Sequence, residues 1–139
     1  MIDNNCAYCV EGELVDKFGI KICELETSKV YLFKEQSHPG RCIVAHKKHV
    51  GDMNELTAEE RAAYFEDVAR VARAIMKAFN PDKVNYGAYG DTGHHLHFHL
   101  CPKYKDEYEW GGVFLMNPDK KYLSDSEYAE MIEKIKSHL

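Results

Sequence analysis

Hydrophobic and polar residues alternate along several short stretches of the chain, and this period of two predicts β-strands. Three such stretches occur, at 19–25, 83–89 and 95–101, and two short, largely apolar stretches, at 28–33 and 41–46, are also predicted to be strands. The links between the first three strands are short, and Pro39-Gly40 closes the second link with a strong turn signal. Consecutive strands with short links predict an antiparallel sheet.

Two helices are predicted from capping boxes, Thr57 to Glu60 and Ser124 to Glu127, in which the N-cap hydroxyl and a glutamate three residues on bond each other's backbone. Apolar residues follow each box at helical spacing: Phe65, Val68, Ala72, Ile75 and Phe79 after the first, and Tyr128, Met131, Ile132 and Ile135 after the second. The first helix should end at Asn80-Pro81, because proline cannot continue it. The pattern thus gives one long and one short helix, and an α+β fold.

Composition limits the classes of function. The 139 residues suffice for one domain, residues 1–139, and a net charge of −5 gives no general attraction to nucleic acid or to an anionic membrane. No apolar run approaches the roughly 18 residues of a membrane helix, and Met1 to Asn5 lack the features of a signal peptide. Five cysteines, an odd number, favour a reducing cytoplasm.

The strongest chemical signal is the alternation of His95, His97 and His99 with Leu96, Phe98 and Leu100. A strand places the apolar residues toward a core and the three imidazoles on the opposite face. Three interpretations are open at this point. The histidines form a polar outer face, they bind a metal, or one of them is a nucleophile toward phosphorus.

Two other motifs carry chemistry and also leave alternatives open. Cys6-Ala7-Tyr8-Cys9 is a pair of packed thiols, a redox pair or half of a zinc site, and its place at the N-terminus makes the redox pair the weakest of these. Gly90-Asp91-Thr92-Gly93 is either a plain hairpin turn or a set of converging backbone N–H groups that suits an anion.

The order of these parts, ending in the His-φ-His-φ-His-φ-φ signature from His95 to Cys101 (φ is apolar), resembles the histidine-triad (HIT) family of nucleotide hydrolases and transferases. The likeness extends from about Cys6 to Tyr104, and within the family the chain looks like the bacterial branch of dinucleoside-polyphosphate-type hydrolases. It implies a five-stranded antiparallel sheet with one long and one short helix, and a homodimer. The implied reaction is cleavage at the α-phosphate of a dinucleoside polyphosphate or nucleoside phosphoramidate, through a covalent nucleotidyl-histidine.

The resemblance also implies roles for particular residues. His97 corresponds to the nucleophile, and His99 to the histidine that hydrogen-bonds the phosphate or leaving group. Substrate contacts are expected at Phe33, Lys34, Asp91 and Thr92. A structural zinc, with no organic cofactor, is implied on Cys6, Cys9, His49 and His95, and would anchor residues 1–12. Residues 103–139 are the expected specificity segment and terminal helix.

One departure from the family pattern concerns Arg41, which follows Gly40 where many members have histidine. Arg41 is either a phosphate donor or a solvated strand residue, and we favour the solvated position. Two alternatives to the hydrolase are a nucleotide-binding or signalling module with negligible turnover, and a metalloprotein in which the histidine cluster holds the metal. Partners other than a small nucleotide, such as nucleic acid or a membrane, are not expected.

Overall fold

Five antiparallel strands form one sheet in the computed structural model. The structure describes residues 3–139, so the first two residues of the predicted segment 1–12 lie outside the described part. The strands are β1 (Gly19–Glu24), β2 (Ser28–Phe33), β3 (Cys42–His46), β4 (Lys83–Gly87) and β5 (His97–Lys103). Their order across the sheet is β1-β2-β3-β5-β4. The predicted sheet is confirmed, and the histidine strand β5 pairs on both sides, with β3 and β4.

The helices are α1 (Ala7–Val10), α2 (Glu13–Asp16), α3 (Ala58–Phe79) and α4 (Asp125–Lys136), with a 3-10 turn at Met53–Glu55. Both predicted capping boxes are present: Thr57 and Ser124 accept from the backbone three residues on, and the glutamates there bond back. The long and short helices are therefore confirmed. The two one-turn helices were not predicted, since four residues are too few to show a period. None of the described helices is long and apolar enough to cross a membrane.

Two hydrophobic clusters lie on opposite faces of the sheet. The larger cluster packs α3 and α4 against one face, with Val68, Val71 and Ile75 at its centre. The smaller one packs α1 and α2 against the other face, through Tyr8 and Val15. Because α1 and α2 cover β2 and β3, the same face of β5 is left for the polar residues of the candidate site.

Several predicted boundaries differ from the structure. Strand β5 begins at His97, so His95 lies just before it, and β4 ends at Gly87. Phe65, predicted within the buried helical stripe, is 37% exposed, whereas Tyr64 is fully buried. The buried face of α3 is thus rotated slightly from the predicted stripe, and Phe65 packs at its margin on Phe98 with ring centroids 5.5 Å apart.

Candidate active site and metal cluster

His97 and His99 lie side by side on β5, with ring centroids 5.4 Å apart. Opposite them on β3 are Ala45 and Ile43, respectively. Both imidazoles are almost fully buried, at 8% and 3% exposure, yet both line a cavity of about 830 Å³. The alternation along the strand thus separates the two imidazoles from the main core, as the pattern of apolar residues predicted.

The hydrogen bond of His97 determines which of its nitrogens is basic. Its Nδ1 lies 2.6 Å from the carbonyl oxygen of His95, and a carbonyl can only accept, so Nδ1 carries the proton. Burial lowers the pKa of His97, which keeps the ring neutral near pH 7. Within the described residues, no protein atom bonds Nε2, so its lone pair is available to a molecule in the cavity.

His99 has the opposite arrangement. Its Nδ1 lies 3.0 Å from Nη2 of Arg41, and a guanidinium has donors only, so Nδ1 accepts and Nε2 carries the proton of the neutral ring. Burial, reinforced by the positive charge of Arg41, lowers the pKa of His99 to about 2. The cavity is therefore lined by a neutral imidazole with a free lone pair, on His97, and by a neutral imidazole that can donate, on His99.

Arg41 does not occupy the solvated position that we favoured from the sequence. Its side chain is fully buried, with the guanidinium carbon 4.1 Å from the ring centroid of Phe33 and 4.8 Å from that of Phe114. The prediction was wrong because the strand begins only at Cys42, and the turn before it directs Arg41 inward beneath His99.

The four predicted metal ligands come together in one cluster, and three of them, Cys6, His49 and His95, also line the cavity. Nδ1 of His95 lies 3.3 Å from Sγ of Cys6, 3.6 Å from Sγ of Cys9 and 3.1 Å from Nδ1 of His49. All four ligand atoms lie within 4.8 Å of one another. The other nitrogen of His95 donates to the carbonyl oxygen of His46 at 2.6 Å, which leaves Nδ1 as a free ligand.

The geometry of this cluster fits a tetrahedral zinc site. Bonds of about 2.0–2.3 Å to nitrogen and sulfur place neighbouring ligand atoms roughly 3.3–3.8 Å apart, close to the distances observed. Burial lowers the pKa of His95 to about 4, so its ring is neutral and able to bind a cation. Burial also raises the pKa of the Cys6 thiol, an effect that a bound cation would offset.

The four predicted substrate contacts all line the cavity. Phe33 is buried and meets the ring of His99 edge-on, with centroids 5.3 Å apart. Asp91 and Thr92 are exposed at the rim. The ammonium group of Lys34, however, bonds the carbonyl oxygen of Asp16, so this side chain is already engaged within the protein.

Sequence reasoning missed Tyr8, whose ring lies on the candidate nucleophile. Its centroid is 4.9 Å from that of His97 and 5.4 Å from that of His95. Tyr8 lies between the two cysteines of the Cys-x-x-Cys motif, so any ion that fixes the motif also fixes this ring. The contact joins residues far apart in the chain, and no local pattern indicated it.

A second feature missed was the C-terminal strap, by which we mean residues 113–121, which run along the cavity without regular secondary structure. Glu35 accepts from the backbone N–H groups of Lys120 and Lys121, at 2.8 and 3.0 Å. Glu109 accepts from the N–H of Leu115, at 3.0 Å, and from Nε2 of buried His38, at 2.7 Å. The strap is therefore attached at both of its ends.

The three histidines do not form one metal site. Both nitrogens of His95 are directed away from the other two rings, one to the cysteine cluster and one to His46. Nδ1 of His97 is a donor, and Nδ1 of His99 is already bonded to Arg41. Within residues 3–139, the one group of four potential ligands is the Cys/His cluster, which argues against the histidine-cluster metalloprotein.

The fold and the site define a class of protein, which is identified by the similarity of the chain to a known family. The model of the HIT domain family matches residues 19–106, more than half of the chain, and the protein belongs to this family. The matched region contains β1 to β5, including His97 and His99. It leaves out Cys6, Cys9 and the C-terminal strap, which lie to either side.

Three curated relatives resemble the chain over most of its length. Protein hit of Bacillus subtilis is 29% identical over 122 residues, covering 83% of this chain and 82% of the relative. Adenosine 5'-monophosphoramidase hnt1 of Schizosaccharomyces pombe is 28% identical over 116 residues, covering 77% and 80%. Bis(5'-adenosyl)-triphosphatase of Dictyostelium discoideum is 28% identical over 106 residues, covering 73% and 70%.

Solved structures support the fold at lower sequence identity. A histidine-triad protein from Sinorhizobium meliloti superposes with a TM-score of 0.84 at 22% identity, covering 92% of this chain and 95% of the other. A Zn-bound histidine-triad family protein from Mycobacterium smegmatis gives a TM-score of 0.68 at 21% identity, covering 96% and 91%.

Proposed function

We propose that this protein hydrolyses nucleotide conjugates at the α-phosphate, with His97 as the nucleophile. The observation that carries the proposal is the pair of opposite tautomers in one cavity, a free lone pair on Nε2 of His97 beside an N–H donor on Nε2 of His99. The names of two relatives, a monophosphoramidase and a bis(5'-adenosyl)-triphosphatase, support the same chemistry.

The reaction has two displacements. Nε2 of His97 attacks the α-phosphorus, and the bond from phosphorus to the leaving oxygen or nitrogen breaks as the P–N bond forms. Water then attacks the same phosphorus, which releases a nucleoside monophosphate and returns the lone pair to His97. The bond from Nδ1 to the His95 carbonyl stabilises the positive charge that the ring acquires on attack.

The remaining residues stabilise charge and hold the substrate. The N–H of His99 donates to a phosphoryl oxygen, and the turn from Gly90 to Gly93 offers further donors. Phe33 supplies an apolar surface for a base, and Asp91 and Thr92, which line the cavity, contact the phosphates or ribose in this proposal. Residues 103–139 shape specificity through the C-terminal strap.

A structural zinc on Cys6, Cys9, His49 and His95 completes the proposal. The donor set is of the closed Cys₂His₂ type and leaves no open coordination position for substrate, so the ion supplies stability and no catalytic step. The Zn-bound relative from M. smegmatis supports a metal in this fold. Through His95 and Tyr8 the ion would hold the N-terminal segment against β5. We also propose that the chain acts as a homodimer.

The test is a short incubation of the native protein with dinucleoside polyphosphates and nucleoside phosphoramidates, with the products separated by chromatography. His97→Ala should lower the rate of nucleoside monophosphate release by at least about 10³-fold without changing the far-UV spectrum. His138→Ala, an exposed histidine of the C-terminus, is the matched control and should keep the native rate. Nucleotide binding without any product would instead support a nucleotide-binding module.

A further inference from the structure

Arg41 is a buried cation for which the described residues provide no carboxylate within bonding distance. Its side chain is fully buried, Nη1 donates to the carbonyl oxygen of Leu115 at 3.1 Å, and Nη2 donates to that of Met116 at 2.9 Å. Nη2 also donates to Nδ1 of His99, at 3.0 Å, and lies 3.4 Å from Sδ of Met116. Nε is the one buried side-chain polar atom without a partner in the part of the chain described.

The surrounding residues fix the guanidinium plane. The rings of Phe33 and Phe114 lie at 4.1 and 4.8 Å from its central carbon. Gly40 precedes it with a φ of +96°, and a Cβ there would lie 2.6 Å from the ring of Phe79. The turn that directs Arg41 inward thus needs glycine both for its backbone angle and for space.

We propose that Arg41 is a positioning residue for the reaction, which holds His99 as the neutral tautomer with its proton on Nε2, toward the substrate. The proposal rests on the proposed function, because it assigns His99 the part of a donor to phosphate. Arg41 contacts both His99 and the carbonyl oxygens of Leu115 and Met116, so it also joins the C-terminal strap to β5.

A guanidinium is suited to this task because all of its polar hydrogens donate and none of its atoms accept. Nδ1 of His99 can therefore only be an acceptor, and the neutral ring must carry its proton on Nε2. An amide or a hydroxyl could bond either tautomer and would leave the choice open. The positive charge of Arg41 also attracts the negative charge that develops on the phosphoryl oxygens.

The proposal can be tested directly on the ring nitrogens. Long-range proton–nitrogen NMR of the protein labelled with ¹⁵N-histidine distinguishes protonated from unprotonated ring nitrogens. In the native protein we expect His99 with Nδ1 unprotonated and Nε2 protonated. Arg41→Met should populate the other tautomer, whereas Arg73→Met, an exposed arginine of α3, should leave the His99 signals unchanged.

Kinetics provide the second readout. Arg41→Met should lower kcat by about 10- to 100-fold, by analogy with the loss of a hydrogen-bond partner that orients a metal-ligating histidine, with a smaller change in KM. Arg41→Lys, which keeps a charge and a donor, should recover part of kcat. If Arg41 serves only to hold the strap, Arg41→Met would raise KM and speed hydrogen exchange in the strap while the His99 signals stay native, and the proposal would be overturned.

Two outcomes separate this proposal from the proposed function. If Nδ1 of His99 is protonated in the native protein, the positioning role of Arg41 is overturned. This result needs no variant, so it holds even if Arg41→Met does not fold. A native protein that shows the expected tautomer, lost in Arg41→Met, but releases no nucleotide product refutes the hydrolase while the effect of Arg41 on His99 stands.

Discussion

Each histidine of the triad has a hydrogen-bond partner that permits only one tautomer. His95 donates from Nε2 to a carbonyl, His97 donates from Nδ1 to a carbonyl, and His99 accepts at Nδ1 from Arg41. A metal ligand, a nucleophile and a donor can therefore stand at alternate positions of one segment. Residue type alone does not distinguish these three roles, whereas the partners do.

The burial of His99 gives a prediction for stability against pH. Its pKa is about 2 in the folded protein and 6.5 in the unfolded chain, so below pH 6.5 the unfolded chain binds the extra proton. The contribution of His99 is fully present above pH 6.5 and is lost as pH falls toward 2. Urea unfolding at a series of pH values should show that the free energy of unfolding falls as the pH is lowered below 6.5. The contribution of His99 to this slope should approach about 1.4 kcal/mol per pH unit.

The matched variant is His99→Asn, which removes the titrating group. Its free energy of unfolding should depend less on pH between 6.5 and 4.5 than that of the native protein, whatever the other histidines contribute to both. Equal slopes for the two proteins would show that His99 is not held neutral in the fold.

At the residue level, the sequence indicated which histidines carry the chemistry but not which residues hold them in place. The alternation of His95, His97 and His99 was visible because strand geometry is local. Arg41 was visible as a departure from the family pattern, but its burial depends on Phe114 and Met116, more than 70 positions away in the sequence. A contact at that separation has no local signature.

At the scale of elements, the strongest predictions were those with a repeating period or a cap. All five strands and both capped helices were predicted, because an apolar period, a short apolar run or a capping box is encoded within a few residues. The C-terminal strap lacks both signals. Its path is determined by Glu35, Glu109 and Arg41, each of which is hydrogen-bonded to backbone groups of the strap. Because every residue has the same backbone groups, the sequence of the strap does not indicate these bonds.

The attachment of the strap can be tested at Glu109. Glu109→Ala removes the acceptor for the N–H of Leu115 and the partner of His38, so residues 113–117 should open more often. Hydrogen exchange read by mass spectrometry should become faster in that stretch and stay unchanged in β1. Glu107→Ala, an exposed neighbour, is the control, and equal exchange in both variants would contradict the described attachment.

At the scale of the whole molecule, the N-terminal segment depends on the Cys/His cluster. Its four ligands come from three separated parts of the chain, so a bound ion would join the segment around α1, the loop after β3 and the segment just before β5. We expect zinc in the purified protein, with one ion per chain. A homodimer stays a prediction, and light scattering of the native protein would determine the oligomeric state.

Removal of a ligand should release the metal and lower stability. Cys9→Ser should lose the zinc and lower the Tm by more than about 5 °C, because a structural ion contributes its binding free energy to folding. Cys23→Ser, a half-buried cysteine outside the cluster, should keep both the metal and most of the Tm. Full zinc content in Cys9→Ser, measured by atomic absorption, would contradict the four-ligand site.

The central claim is that His97 becomes covalently bonded to the nucleotide. The direct measurement is intact mass spectrometry after brief mixing with a dinucleoside polyphosphate and a quench at alkaline pH, which preserves a phosphoramidate. The native protein and His138→Gln should gain the mass of one nucleoside monophosphoryl group, and His97→Gln should gain none. Digestion of the native adduct should place the group on the peptide that contains His97. Turnover by His97→Gln, or the same adduct on that variant, would contradict the account.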